Sequence, residues 1–463
     1  MQKATLCSLL LFLAMKKILI CCMALGLFSQ CKSEVQKTAT KPNVVLLVGD
    51  DQGYPYFGFM GADFVQTPHM DRLADQSFVF TQGYVPQNHC RPSLATLITG
   101  QTPTVYEPAV EQLIQDQGID TPKDKQEFRF QAMQYFNSLP KVLADAGYVS
   151  FQGGKWWEFH YKNGGFTHGM TEGWTPEDRK NGSKWFKQFM GGQGLELARA
   201  TMEPVYEFID EHEKEPFFIW YAPELPHYPF DAPDRYYNMY KNTDFSESAK
   251  RYYANCTWFD EGVGELKAYL GEKQLLDNTI FIYVNDNGWE QGPYQEFRND
   301  SLRWHNGGDK GKLSVYDQSF RTPILFSWPK HIKPGSSEAL VHSADIPSTI
   351  LDLVGLEQPQ SFEGQTLRPI WENPSVTIGR SKIIGKATQM RDEADMMGKK
   401  IEAYWVRDQD WFFRWNLTLD EKALFDMKND PNNDYDLVQK YPERVEEYIE
   451  TIENWKKNPT LVD

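Results

Sequence analysis

The sequence predicts an α/β fold: a large, mostly parallel sheet sandwiched by helices, with a smaller C-terminal α+β part of antiparallel strands and a terminal helix. Two features lead to it. From Pro42 onward, short β-branched and aromatic runs alternate with amphipathic stretches, and strands covered on both faces read as such unbroken apolar runs. After "IPSTILDLVGLEQP" the texture changes to Trp- and Tyr-rich segments, a turn-rich "DMKNDPNND" and a charged last helix, "ERVEEYIETIENWKK".

In chain order, Met15-Lys16-Lys17 followed by "ILICCMALGLF" is a basic start and a short apolar run, the pattern of an export signal. The run is too short to span a bilayer comfortably, and Cys31 after it resembles the lipid-modified cysteine of bacterial lipoproteins. An ordinary cleaved signal peptide is the plainer alternative. Either way the mature chain is expected outside the cytoplasm, periplasmic or as an outer-membrane or cell-surface lipoprotein of a Gram-negative bacterium. Residues 1–40 are then signal and tether, 41–372 the α/β domain and 373–463 the α+β part.

The expected strands are "NVVLLVG" (43–49), "SFVFTQGYV" (77–85), "GYVSFQGG" (147–154), "PFFIWYAP" (216–223), "TIFIYVND" (279–286) and "TPILFSW" (322–328). Helical spacing covers "SLPKVLADAG" (138–147), "ELARATMEPVYEFIDEHEK" (196–214) and "SAKRYYANCTWFDEGVGELKAYLGEK" (248–273).

The formal charge is −16, and cleavage before Cys31 would remove three lysines and no acid, taking it to about −19. A nucleic-acid partner is therefore not expected. The same cleavage leaves Cys31, Cys90 and Cys256, a poor disulfide framework for an exported protein. Cys90 needs another explanation.

Ligands of open parallel sheets collect beyond the carboxyl ends of the strands. Here those ends deliver Asp50 and Asp51, Lys155, His227, and Asp286-Asn287-Gly288. Each acid pair alone reads as a solvated turn or a cap. Placed jointly with Lys155, His227 and Lys312, they point to one polyanion site whose hard oxygen ligands suit Ca²⁺, or Mg²⁺, and not zinc.

In "NHCRPSLATLITG" (88–100), Pro92 suits a first helical turn and Leu94, Leu97 and Ile98 share a face, so Cys90 stands at a helix N-terminus. A thiol there is expected to have a lowered pKa, as a thiolate nucleophile or as a group converted into a better one. A buried structural thiol is the bland reading, weakened by the polar Arg91-Pro92-Ser93 that follows.

These residues resemble the formylglycine-dependent sulfatases of the alkaline-phosphatase superfamily, over nearly the whole chain from Pro42. The family signature Cys-x-Pro-Ser-Arg with a following Leu-x-Thr-Gly-Arg stands here as Cys90-Arg91-Pro92-Ser93-Leu94 and Leu97-Ile98-Thr99-Gly100-Gln101. Asp50-Asp51-Gln52-Gly53-Tyr54, Gly154-Lys155-Trp156-Trp157, Pro226-His227-Tyr228-Pro229, Asp286-Asn287-Gly288 and a run through Lys312, Tyr316, Asp317, Arg321 and Pro323 match further family segments, as does the tail "ALFDMKNDPNNDYDLVQKYPERV". The resemblance implies an alkaline-phosphatase-like sheet and a formylglycine made from Cys90 by a maturation enzyme. It also implies Ca²⁺ held by Asp50, Asp51, Asp286 and Asn287 with residue 90, Lys155 and Lys312 on sulfate oxygens, and His227 at the departing alkoxide.

Two positions depart. Leu94 replaces the family arginine, which belongs to the maturation core and helps hold the formylglycine hydroxyl; Trp157 replaces a histidine expected near the nucleophile, with His160, His168 and His89 as substitutes. The expected activity is hydrolysis of a sulfated glycan. Trp156, Trp157, Trp174 and Trp185 are candidates to stack sugar rings, against the alternative that they are core. Arg303 and His305, before Lys312, are candidates to select the sugar, against a solvated loop. The alternatives are a phosphomonoester, phosphodiester or phosphonate hydrolase of the same superfamily, and a non-catalytic binder of sulfated glycans.

Overall fold

The computed structural model describes residues 41–174, 188–289 and 310–461, apart from 374, 377, 379, 393 and 394. All six apolar runs form strands: β1 (Asn43–Gly49), β2 (Phe78–Tyr84), β3 (Val149–Gly154), then a short β4 (His168–Gly169), β5 (Phe217–Ala222), β6 (Thr279–Asn285) and β7 (Arg321–Ser327), with short β8 (Gly335–Ser337) and β9 (Val341–His342). They build one sheet in the order β4-β3-β5-β1-β6-β7-β2-β8, with β9 also on β2.

Alternation of side chains explains why helices cover both faces. Val44, Leu46 and Val48 of β1 point with Phe218 and Trp220 of β5 and Ile282 of β6 into one apolar cluster, shared with Leu97 and Ile98 of the helix Cys90–Thr99. Val45 and Leu47 point to the other face with Ile219, Tyr221 and Phe281, packing on Phe259, Val263 and Leu266 of the helix Glu247–Glu272. Each fully buried aliphatic or aromatic side chain stabilises by about 1.5–3 kcal/mol, and a one-residue slip of β1 would exchange the side chains of two differently packed faces and turn Asp50 away from its partners.

Strand β7 is the exception to parallel pairing, antiparallel to both β6 and β2. Pro323 lies within it, where a proline would ordinarily break a ladder. The register with β2 shifts at that point, from Phe80 opposite Ile324 to Gly83 opposite Thr322, so a bulge of Thr81 and Gln82 faces the residue without an N–H. Arg321 donates to the Thr81 carbonyl at 3.1 Å from its terminal nitrogen.

One helix differs from expectation. The stretch 196–214 is helical only over Glu203–His212, preceded by a 3₁₀ turn at Gly192–Glu196. Pro204 sits in the first turn, and its missing N–H and ring prevent extension upstream.

The C-terminal strands β10 (Lys382–Asp392), β11 (Asp395–Asp408), β12 (Trp411–Asn416) and β13 (Glu421–Asp426) form an antiparallel sheet in sequence order. Tyr404, Val406, Phe413 and Leu424 face the terminal helix Pro442–Trp455 through Val445, Tyr448 and Ile452. Their neighbours Trp405, Phe412 and Phe425 face Tyr84 and Phe320 of the main body.

Candidate active site

The strand ends converge as the topology requires. Asp50 and Asp51 follow β1, Lys155 follows β3, His227 lies after β5, and Asp286 and Asn287 follow β6. Asp51 adopts φ 65°, a left-handed conformation in which aspartate is among the more tolerant residues. Gly154, at φ +95°, brings the chain so close to β5 that an added Cβ would lie 1.9 Å from the Ala222 carbonyl oxygen, and Lys155 N donates to that same oxygen at 2.7 Å. Gly53 allows a similar approach, since a Cβ there would meet Trp289 N at 2.6 Å.

The side chains meet in a buried cluster. Lys155 Nζ lies 2.6 Å from Asp50 Oδ1 and 3.1 Å from Cys90 Sγ. Lys312 Nζ is 2.9 Å from Asp51 Oδ2, and His227 Nε2 is 3.6 Å from the same oxygen. Asn287 Nδ2 donates to Asp51 Oδ1 at 2.6 Å, and Asp51 N donates to Asp286 Oδ1 at 3.0 Å. The Cys90 sulfur is 3.9 Å from oxygens of both Asp50 and Asp51. Ligating atoms of Asp50, Asp51, Cys90 and His227 all lie within 4.8 Å of one another, which draws His227 nearer the carboxylates than the sequence reading had it.

Electrostatics define what is missing from this cluster. Burial opposes ionisation of Asp50, but Lys155, His227 and Lys312 overcome it and hold the carboxyl below its ordinary range. Asp286 is pushed up to about 7 by burial and then by the charge of Asp50. Burial would lower Lys155, yet Asp50 and its neighbours raise it. Three buried carboxyl groups, Asp50, Asp51 and Asp286, thus crowd together with the ammonium groups of Lys155 and Lys312 and the imidazole of His227. Asp50 Oδ2, Asp286 Oδ2 and Asn287 Oδ1 are buried without a hydrogen-bond partner, a costly arrangement unless something binds them. A hard divalent cation fits the orphaned oxygens, and its charge would favour the ionised form of Asp286 that burial opposes.

Cys90 begins the helix Cys90–Thr99 as expected, but its acidity is the reverse of the expectation. Burial, aided by Asp286 and Asp51, pushes the thiol well above its ordinary value despite Lys155 and Lys312. The helix N-terminus does not outweigh desolvation, so an unconverted Cys90 remains a protonated thiol and a poor nucleophile in this setting.

Leu94 is buried in the apolar cluster with Leu97 and Ile98. A cation stands instead at Arg91, bidentate to Glu158 at 2.9 and 3.1 Å, its guanidinium 4.6 Å from the centre of the Phe130 ring. Trp157 is buried edge-on against Phe189, and Lys155 Nζ lies 5.7 Å from the centre of its ring. Trp156 and Trp174 are equally buried, so these three rings belong to the packed wall and present little face for a sugar. Trp185, Arg303, His305 and Cys31 lie outside the described residues.

Of the substitute histidines, His160 caps a 3₁₀ turn by accepting from Lys162 N, and His168 sits on the edge strand beside His212. His89 directly precedes Cys90 and is held neutral, pushed down to about 3 by burial and by Lys312 and Arg91.

Several positioning residues were not foreseen. Asn88, fully buried, donates to Ser314 O at 2.9 Å and Gln389 O at 2.8 Å, tying the approach to Cys90 to the segment carrying Lys312 and to β10. Lys310 donates to Asn432 O and Asn433 O at 2.7 and 2.6 Å, so the turn-rich tail holds that segment from the other side. Only the adjacency of Asn88 to the cysteine helix was available as a signal in the sequence.

With this geometry in view, the chain can be set beside known proteins. A family model for sulfatases matches residues 42–356, and one for the C-terminal part of N-sulphoglucosamine sulphohydrolase matches 308–457. Arylsulfatase A of Homo sapiens is 26% identical over 372 residues, covering 72% of this chain and 68% of the relative. An N-acetylglucosamine-6-O-sulfatase of Bacteroides thetaiotaomicron is 23% identical over 536 residues, covering 94% and 89%. A solved structure in complex with its substrate D-glucosamine-2-N,6-O-disulfate shares the fold with a TM-score of 0.70 at 19% identity, covering 91% of this chain and 99% of that one. The family model spans most of the chain and its strand-end residues meet in one cluster: the chain belongs to the sulfatase family of the alkaline-phosphatase superfamily and is a sulfuric-ester hydrolase.

Proposed function

We propose that this hydrolase removes sulfate from a sulfated glycan, with a formylglycine made from Cys90 as nucleophile and Ca²⁺ at the carboxylate cluster. The observation that carries the reading is the buried set of Asp50, Asp51, Asp286, Lys155 and Lys312 around one thiol, with three orphaned oxygens in it. A glycan substrate is supported by the relative named for N-acetylglucosamine-6-O-sulfate hydrolysis and by the disulfated glucosamine bound in the similar fold.

Asp50, Asp51, Asp286 and Asn287 would hold the ion, with residue 90 completing the set; Mg²⁺ is the other hard cation these ligands suit. The ion, when bound, supplies positive charge to the equatorial sulfate oxygens. A formylglycine at residue 90 would supply, when hydrated, the hydroxyl nucleophile that the thiol lacks. Lys155 and Lys312 hold sulfate oxygens and fix the line of attack, which lowers both the repulsion and the entropy of reaching it. His227 donates Nδ1–H to the Tyr228 carbonyl, which orients the ring so that Nε2 faces the cluster beside Asp51; as the doubly protonated imidazolium it would pass the Nε2 proton to the leaving alkoxide.

Export, a lipid anchor at Cys31 and a formylglycine-generating enzyme as maturation partner belong to the same proposal, supported by the N-terminal pattern and the signature at Cys90. Leu94 and Trp157 favour a second reading, a chain that keeps its thiol and only binds. Mass spectrometry of the peptide containing residue 90, with a desulfation screen on defined saccharides, separates the two. Formylglycine with sulfate release is expected; an intact thiol with no turnover of any sulfated sugar overturns the reading. Paired phosphate esters in the same screen test the phosphoester alternative, which faster phosphate turnover would establish.

A further inference from the structure

Tyr228 immediately follows His227 and leaves 55% of its surface exposed. An exposed aromatic ring alone is ordinary. What distinguishes this one is how it is held and where it stands. The side chain of Arg199 donates to the carbonyls of Glu224 (2.6 Å), His227 (2.9 Å) and Pro229 (3.3 Å). Asn255, buried in the long helix, donates to Pro226 O (3.3 Å), His227 O (3.3 Å) and Pro229 O (3.0 Å). The loop that carries His227 and Tyr228 is therefore clamped from beneath, and both side chains are presented from a fixed backbone.

The ring is also buttressed. It meets Phe230 edge-on at 5.7 Å, Phe230 meets Tyr252 at 5.8 Å, and Tyr252 stacks at 3.9 Å on Trp289, which closes the Asp286-Asn287-Gly288 corner. Tyr228 is the outer member of an aromatic wall that runs from the carboxylate cluster to solvent. Trp156, Trp157 and Trp174 are all enclosed and cannot take that part.

We propose that Tyr228 is the platform on which the sugar of the leaving alcohol stacks, and so a specificity-determining residue for sulfated pyranosides. This rests on the hydrolase reading above. The proton carried by His227 must reach the ester oxygen, and that oxygen belongs to the sugar, so an exposed ring on the residue that follows His227, carried by the same clamped loop, is the open aromatic surface among the described residues best placed to meet it. A pyranose presents an apolar C–H face to such a ring, and tyrosine offers that area with little side-chain entropy to lose.

The test is calorimetric binding of sulfated heparin and carrageenan disaccharides, and separately of inorganic sulfate, to the full chain carrying Cys90→Ser. Adding Tyr228→Ala is expected to weaken binding of the preferred disaccharide by about tenfold or more, Tyr228→Phe by less than about threefold, and to leave sulfate affinity unchanged. Disaccharide affinity unaltered in Tyr228→Ala, an equal loss for inorganic sulfate, or no disaccharide binding by the Cys90→Ser parent overturns the platform. Binding through Tyr228 with no hydrolysis by the wild-type chain would instead overturn the hydrolase reading and leave the platform standing.

Discussion

At single residues, the cluster behaves as a charge balance. Lys312 reaches Asp51 in the resting protein and is expected to exchange that partner for a sulfate oxygen. Lys312→Ala should lower kcat/KM for a sulfated saccharide by about 10²–10³-fold, as removal of one preorganised charge does. Ca²⁺ is expected to raise the Tm of the wild-type chain and Asp286→Ala to abolish that rise, read by differential scanning fluorimetry with and without chelator. Retention of activity by the first, or of the calcium shift by the second, would remove those residues from the site. A second acid, away from the cluster, adds to the pH dependence of stability. Asp260 accepts from His69 N (3.1 Å) and Met70 N (2.7 Å), capping the helix Pro68–Asp75, yet burial pushes its pKa up to about 7. Between about pH 4 and 7 the folded chain then holds a proton that the unfolded chain has lost, so Asp260 makes stability fall as pH rises through that window. Asp260→Asn should flatten that part of the stability profile, measured by urea unfolding at intervals from pH 4.5 to pH 8.

Elements decide whether those residues can meet. The six apolar runs announced their strands because the sheet is buried on both faces, and the residues just beyond them were therefore readable as site candidates. Which of the strands runs antiparallel was not readable, because apolar runs carry no direction, and the bulge of β2 opposite Pro323 showed only in the pairing. The acidity of Cys90 was likewise beyond the motif, since the helix N-terminus is local whereas the burial that overrides it, and the charges of Asp51 and Asp286 that add to it, come from elsewhere in the chain. Asn88 joins three of the elements. Asn88→Ala leaves the Ser314 and Gln389 carbonyls buried without that donor, expected to cost about 1–3 kcal/mol and to lower kcat more than it raises KM. An unchanged unfolding midpoint with normal kcat would count against this link.

Over the whole molecule, the C-terminal sheet is fastened to the main sheet through a buried polar knot. Arg407 of β11 donates to Tyr84 Oη (2.8 Å) and Gln82 Oε1 (2.9 Å) of β2, and Tyr84 donates to Asp317 Oδ1 (2.7 Å). Arg407→Ala removes one partner from a desolvated pair and is expected to cost about 3–5 kcal/mol in denaturant unfolding. It should also loosen the Lys312 segment, which the tail at Asn432 and Asn433 holds through Lys310. By itself the sequence determined the layer architecture, the strand ends and the order of the charged motifs, because hydrophobic period and turn chemistry are local. Tertiary structure alone decided that burial raises the Cys90 thiol, that Trp156, Trp157 and Trp174 are enclosed while Tyr228 is open, and that distant side chains fix the loops. Desolvation and long-range pairing depend on what the rest of the chain places around a group, and no neighbouring residue in the sequence encodes that.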